Sequence, residues 1–107
     1  MVVMSTESGK VVANLPIGTG VDATKFEGGN AFASCGEGTL AVVRKSTTGA
    51  FEVAQTLKTA RVAKTMGIDT TTHKIYLPTA DFEDQKPGAA GRPAAKPNTF
   101  KILVVSR

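Results

Sequence analysis

Leu40-Ala41-Val42-Val43, a polar turn closing in Gly49, then Phe51-Glu52-Val53-Ala54-Gln55-Thr56-Leu57 is the stretch that decides the fold. Two apolar runs around a glycine-bearing turn make an antiparallel hairpin. The same pattern stands at the start of the chain. There Met1-Val2-Val3-Met4 is followed by a turn closing in Gly9 and by Val11-Val12-Ala13-Asn14-Leu15. The two hairpins lie about 40 residues apart, a spacing that signals one four-stranded unit reiterated along the chain.

A second pair of stretches repeats in the same way. Phe26-Glu27, a turn, and Asn30-Ala31-Phe32-Ala33-Ser34-Cys35 are answered by Ile68-Asp69, a turn, and Lys74-Ile75-Tyr76-Leu77-Pro78-Thr79. Ile102-Leu103-Val104-Val105 then matches Leu40 to Val43, displaced by an insertion. That insertion, residues 83–98, carries Pro87, Pro93, Pro97, Gly88, Gly91 and four alanines. Such a composition cannot hold a sheet ladder and predicts a mobile or extended, disordered segment.

Strands are expected over residues 2–5, 11–17, 30–35, 39–45, 51–58, 64–69, 74–79 and 100–106, with inner strands starting near Ala23 and Lys64. Helical periodicity is poor, because the apolar runs are short, β-branched and broken by glycine or threonine. The fold class is therefore all-β. With strands named A to D from a ring axis outward, the order reads C-D, then A-B-C-D, then A-B-C. This describes a partial β-propeller. Residues 1–18 end one blade, 21–60 form a complete blade, and 61–107 form the last one with the insertion inside it.

Composition agrees with a packed β-protein. Of 107 residues, 41% are apolar and 21% charged, and 11 glycines and 5 prolines accompany one tyrosine and no tryptophan. The formal charge of +4 comes from lysines dispersed along the chain, the pattern of solubility and edge protection more than of a nucleic-acid footprint. No run reaches the roughly 18 apolar residues of a membrane span, and the first residues lack the basic and apolar regions of a signal peptide.

The chemistry-bearing residues are few. His73 is the single histidine and falls in a turn, where a solvated role outweighs that of a general base. Cys35 is the single cysteine and reads as a buried structural thiol. Asp22, Glu37, Asp69, Asp81, Glu83 and Asp84 show no metal-ligand spacing, and Gly18-Thr19-Gly20 lacks the lysine and helix of a phosphate loop. No catalytic residue, metal or cofactor is assigned. The residues chosen for ligand binding are Arg61 and Lys64, in the loop entering an inner strand, with Lys25 as the matching position one unit earlier.

The repeat resembles the YVTN β-propeller repeats of YncE-like proteins. Phe32-Ala33-Ser34-Cys35 and Tyr76-Leu77-Pro78-Thr79 occupy the place of the family signature, and residues 6–18 resemble its hairpin and exit loop. Ser34-Cys35 and Pro78-Thr79 depart from the family's Thr-Asn pair, and Pro78 predicts a bulge or locally unpaired edge. The resemblance implies a C-terminal portion of a longer ring, from a periplasmic or secreted parent, whose last blade takes its outer strand from the N-terminus. It implies a non-catalytic binding or scaffold module with a protein, peptide or single-stranded DNA as ligand. Its partners are further blades, of the parent chain or of copies of itself as a homo-oligomer. The alternative is part of an enzymatic propeller, a lactonase-like hydrolase or redox domain whose active-site residues lie elsewhere.

Overall fold

The computed structural model of the chain describes residues 1–106; Arg107, the last residue of the expected blade 61–107, lies outside them. Among the described residues there is no helix, and nine strands form three antiparallel sheets. The first sheet pairs β1 (Val2–Met4) with β2 (Val11–Asn14). The second runs β3 (Val21–Glu27), β4 (Asn30–Cys35), β5 (Thr39–Lys45) and β6 (Phe51–Lys58) in sequence order. The third runs β7 (Gly67–Asp69), β8 (Lys74–Thr79) and β9 (Lys101–Val105).

Local sequence accounts for the hairpins. Gly28 and Gly29 both adopt positive φ, at 55° and 79°, so β3 and β4 join through the two-residue turn whose twist matches the strands. The β7–β8 connection uses four residues instead, closed by the His73 amide donating to the Asp69 carbonyl at 2.7 Å. His73 takes positive φ there without being glycine.

Residues paired across neighbouring strands share a face, so the registers assign each sheet a front and a back. On the front of the second sheet stand Ala23, Lys25, Glu27, Phe32, Ser34, Leu40, Val42 and Leu57. The back of the third sheet presents Ile68, Ile75, Leu77, Leu103 and Val105 to them. Phe32, Leu40, Ala63, Met66, Ile75 and Leu77 form the buried cluster between the two. The back of the second sheet carries Ala33, Cys35, Ala41 and Val43, all buried. Val3 and Ala13 of the first sheet are half-buried and line one groove with Lys45 and Phe51 of the second. Front meets back where the second and third sheets stack.

The strands expected over 2–5 and 100–106 are shorter by a residue at one or both ends, Val2–Met4 and Lys101–Val105, and three boundaries differ more. The strand expected over 64–69 begins only at Gly67, opposite Tyr76; continued, the ladder would set Met66 against Leu77 and Thr65 against Pro78, which has no amide hydrogen to give it. Freed from the ladder, residues 63–66 turn Ala63 and Met66 into the core. The strand expected over 11–17 stops at Asn14, just before Leu15 and Pro16, and β3 starts two residues before Ala23 with a bulge at Asp22. The insertion also holds more structure at its root than its composition suggests. Phe82 bridges Ala95, flanked by the Glu83 amide on the Ala94 carbonyl at 2.9 Å and the Lys96 amide on the Asp81 carbonyl at 2.8 Å.

Candidate functional site

Residues 59–66 connect β6 to β7 and carry two of the three cations chosen from sequence. The path of this loop is held by backbone groups on both sides. The Thr59 amide donates to the Gly38 carbonyl and the Val62 amide to the Gly36 carbonyl, each at 2.8 Å. A Cβ at Gly38 would lie 3.1 Å from the Ala60 carbonyl carbon and the Arg61 nitrogen, so glycine lets the β4–β5 turn approach this closely. Val62 sits at φ 65°, a conformation costly for a β-branched residue, and the Lys64 amide folds back onto the Val62 carbonyl at 2.9 Å.

Two hydroxyls fix the loop to the sheets. The buried Ser34 donates its hydroxyl to the Lys64 carbonyl, and the buried Thr79 donates to the Arg61 carbonyl at 3.1 Å. Both hydroxyls satisfy carbonyls that the folded-back loop withdraws from any ladder.

The three cations have different surroundings. Arg61 is exposed and donates from Nη2 to the Glu83 carbonyl at 2.9 Å, linking the loop to the base of the insertion. Lys64 is partly buried, with Nζ 3.5 Å from Asp22 Oδ1, while Thr65 donates to Asp22 Oδ2 at 3.1 Å. An ion pair this exposed contributes no more than about 1 kcal/mol. Lys25 lies within β3 and opposite Phe32, not in a loop as the sequence reading placed it. Counting back from Glu27 and Asp69, the residues that open the two hairpins, the match of Lys64 is Asp22 and the match of Lys25 is Gly67. Lys25 thus shares the front face of the second sheet with the loop, while Lys64 and its equivalent Asp22 form a pair.

Three carboxylates have depressed pKa values. Hydrogen bonds from the Thr19 backbone, the Thr19 hydroxyl and the Thr39 hydroxyl hold Glu37 below its ordinary value, the hydroxyls at 2.9 and 3.0 Å. Asp69 is lowered by the Thr72 hydroxyl and the Thr71 amide, and Asp81 by Lys101 at 2.5 Å. Glu37 and Asp81 are exposed and Asp69 half-buried, and all three serve turns or strand ends.

His73 has a partner that sequence did not suggest. Its Nδ1 lies 2.6 Å from Glu27 Oε1, joining the β7–β8 turn to β3 across the groove between the sheets. The groove has a volume of about 420 Å³ and is lined by Asn30, Arg44, Gln55, His73 and Ser106 among others. Cys35 lies on the other face of the second sheet, fully buried, and does not meet His73. Among the described residues no cluster of three metal-ligating side chains occurs.

No family model, curated protein or solved structure matches the chain. Its geometry must therefore speak for itself. The site is a cationic loop, fastened by buried hydroxyls and glycine contacts, between two stacked sheets. It offers an exposed guanidinium and ammonium groups to an anionic ligand.

Proposed function

We propose that the chain is a run of consecutive β-propeller blades, C-D, A-B-C-D and A-B-C, acting as a non-catalytic binding module. The observation carrying this reading is that the second and third sheets are built from the same succession of strands and stack front to back, with Phe32 at the contact. Stacked sheets of this kind leave their inner-strand loops at one mouth, the position of a propeller ligand. The ligand is a polyanion, single-stranded DNA being the form to test, held by Arg61, Lys64 and Lys25.

Fluorescence anisotropy of a labelled single-stranded oligonucleotide, titrated with the chain at several salt concentrations, tests the reading. Three phosphate contacts give a log–log salt slope of about −2. Replacing Arg61 and Lys25 together with alanine flattens that slope by about two-thirds. An affinity indifferent to salt removes DNA as the ligand.

A further inference from the structure

The groove between the second and third sheets has two walls with the same gradient. Along the front of β5 the side chains run from the exposed Arg44 through the half-buried Val42 to the buried Leu40. Beside them on β4, Asn30 leads to the buried Phe32. The opposite wall repeats the order, from the exposed His73 in its turn to the buried Ile75, with the half-buried Val105 paired to Ile75. Both walls are polar at the same end and become apolar away from it.

The polar end has hydrogen-bond donors to spare. Glu52 engages Arg44 only at Nε, 3.0 Å away, while Glu27 and His73 Nδ1 meet across the mouth at 2.6 Å. The two terminal nitrogens of Arg44 and the side chains of Gln55 and Ser106, which also line the groove, make no hydrogen bond among the described residues. No Asp or Glu among those residues lines it. Its volume of about 420 Å³ falls within the range of small-ligand sites, roughly 300–1,000 Å³. A concave site with an apolar interior, a few converging donors and a cation at its mouth is complementary to an amphipathic anion. A carboxylate suits the mouth best, because its two oxygens can accept from both terminal nitrogens of one guanidinium.

We propose that this groove binds a small amphipathic carboxylate, its charged head on Arg44 and its apolar body laid between Val42 and Val105 toward Leu57. Gln55 and Ser106 supply further donors to the head. The contact of His73 with Glu27 holds the two walls together at the mouth, so the groove is set before the ligand arrives and less ordering has to accompany binding. Arg61, Lys64 and Lys25 do not line it, and the site is independent of the cationic loop.

Two-dimensional amide NMR of the full chain, titrated with naphthoate, tests the site. The expected result is saturable shifts at Arg44, Gln55, Ile75 and Val105, with a dissociation constant of ~0.1–1 mM for a ligand of this size. Naphthamide, which has the same shape without the charge, binds ~10-fold more weakly, and Arg44→Gln weakens naphthoate by about as much while leaving naphthamide unchanged. Gln55→Ala, which keeps the Arg44 pair with Glu52 intact, weakens naphthoate ~3-fold and is the second variant should Arg44→Gln disturb the sheet. Lys10→Gln, in the exposed β1–β2 turn, makes the same change of net charge and leaves binding as it was. The proposal is overturned by shifts that do not saturate in that range or that scatter over the chain. It is equally overturned by naphthamide binding as tightly as naphthoate, or by an affinity for naphthoate indifferent to both Arg44→Gln and Gln55→Ala.

Discussion

Leu40 in the second sheet and Ile102 in the third occupy the same place in successive repeats, as do Phe32 and Tyr76. Leu40 is 1% exposed and Ile102 52%; Phe32 is buried and Tyr76 is not. The strands are equally apolar at these places, so strand sequence alone does not set burial. A neighbouring sheet does, because an antiparallel sheet has two faces and each needs its own cover. The second sheet has a cover on both sides; the third has one.

The sharpest way to break the comparison is to truncate both members. Leu40→Ala removes side-chain volume from the cluster shared with Phe32, Ile75 and Leu77 and leaves a cavity. It should lower unfolding stability by about 2–5 kcal/mol. Ile102→Ala, made at the equivalent place but on a half-open face, should cost less than about 1.5 kcal/mol, since little of the side chain is withdrawn from water. Urea melts at low protein concentration measure both. Equal losses would mean that the outer face is covered in solution.

The same pair of sheets also differs at Ser34 and Pro78. The Ser34 hydroxyl reaches forward to the Lys64 carbonyl, whereas Pro78 offers no hydroxyl and lies beyond the last β7 pair, Gly67 with Tyr76. Ser34→Ala should cost about 1–3 kcal/mol, because a buried carbonyl loses its donor. It should also loosen residues 59–66, read as faster amide exchange at Val62 and Lys64 with β4 and β5 unchanged. A loss of protection spread evenly over the second sheet would show that the hydroxyl serves the sheet and not the loop.

Most of the strand order was legible, and the reason is local. Period-two apolar runs and turns such as those around Gly9 and Gly49 report themselves over a few residues. Even Pro78 announced an unpaired edge. The candidate site was legible only in part. Arg61 and Lys64 lie in the loop before β7, yet the pairing of Lys64 with Asp22 spans 42 residues and depends on a strand that begins later than its letters suggest. His73 meets Glu27 across 46 residues, and neither side chain carries a sign of it. Contacts between sheets depend on how one repeat lies on the next. The root of insertion 83–98 was missed for a related reason: prolines forbid a long ladder but leave a bridge at Phe82 and Ala95 open to them.

The smallest difference is between the two hairpin turns that follow Glu27 and Asp69. Gly28-Gly29 closes the first by positive-φ backbone, with the Asn30 side-chain amide donating to the Gly28 carbonyl at 3.1 Å, while Asp69 closes the second by accepting from the Thr72 hydroxyl at 2.7 Å and the Thr71 amide at 2.9 Å. These bonds favour the carboxylate and put the folded pKa below the ordinary 3.8. The sign follows by linkage: a depressed folded value contributes stability above pH 3.8 and loses it as pH falls through the lowered value. Asp69→Asn should therefore be less stable than wild type at neutral pH, and the gap should narrow as pH falls below that point. Added salt separates the cause from ion pairing. Screening weakens the contact of Asp81 with Lys101 but leaves short hydrogen bonds within a turn nearly untouched, so the Asp69→Asn gap should persist in high salt while an Asp81→Asn gap shrinks. If the Asp69 gap instead collapses with salt, its attraction to His73 outweighs the hydroxyl and amide bonds, and the second turn is held by charge.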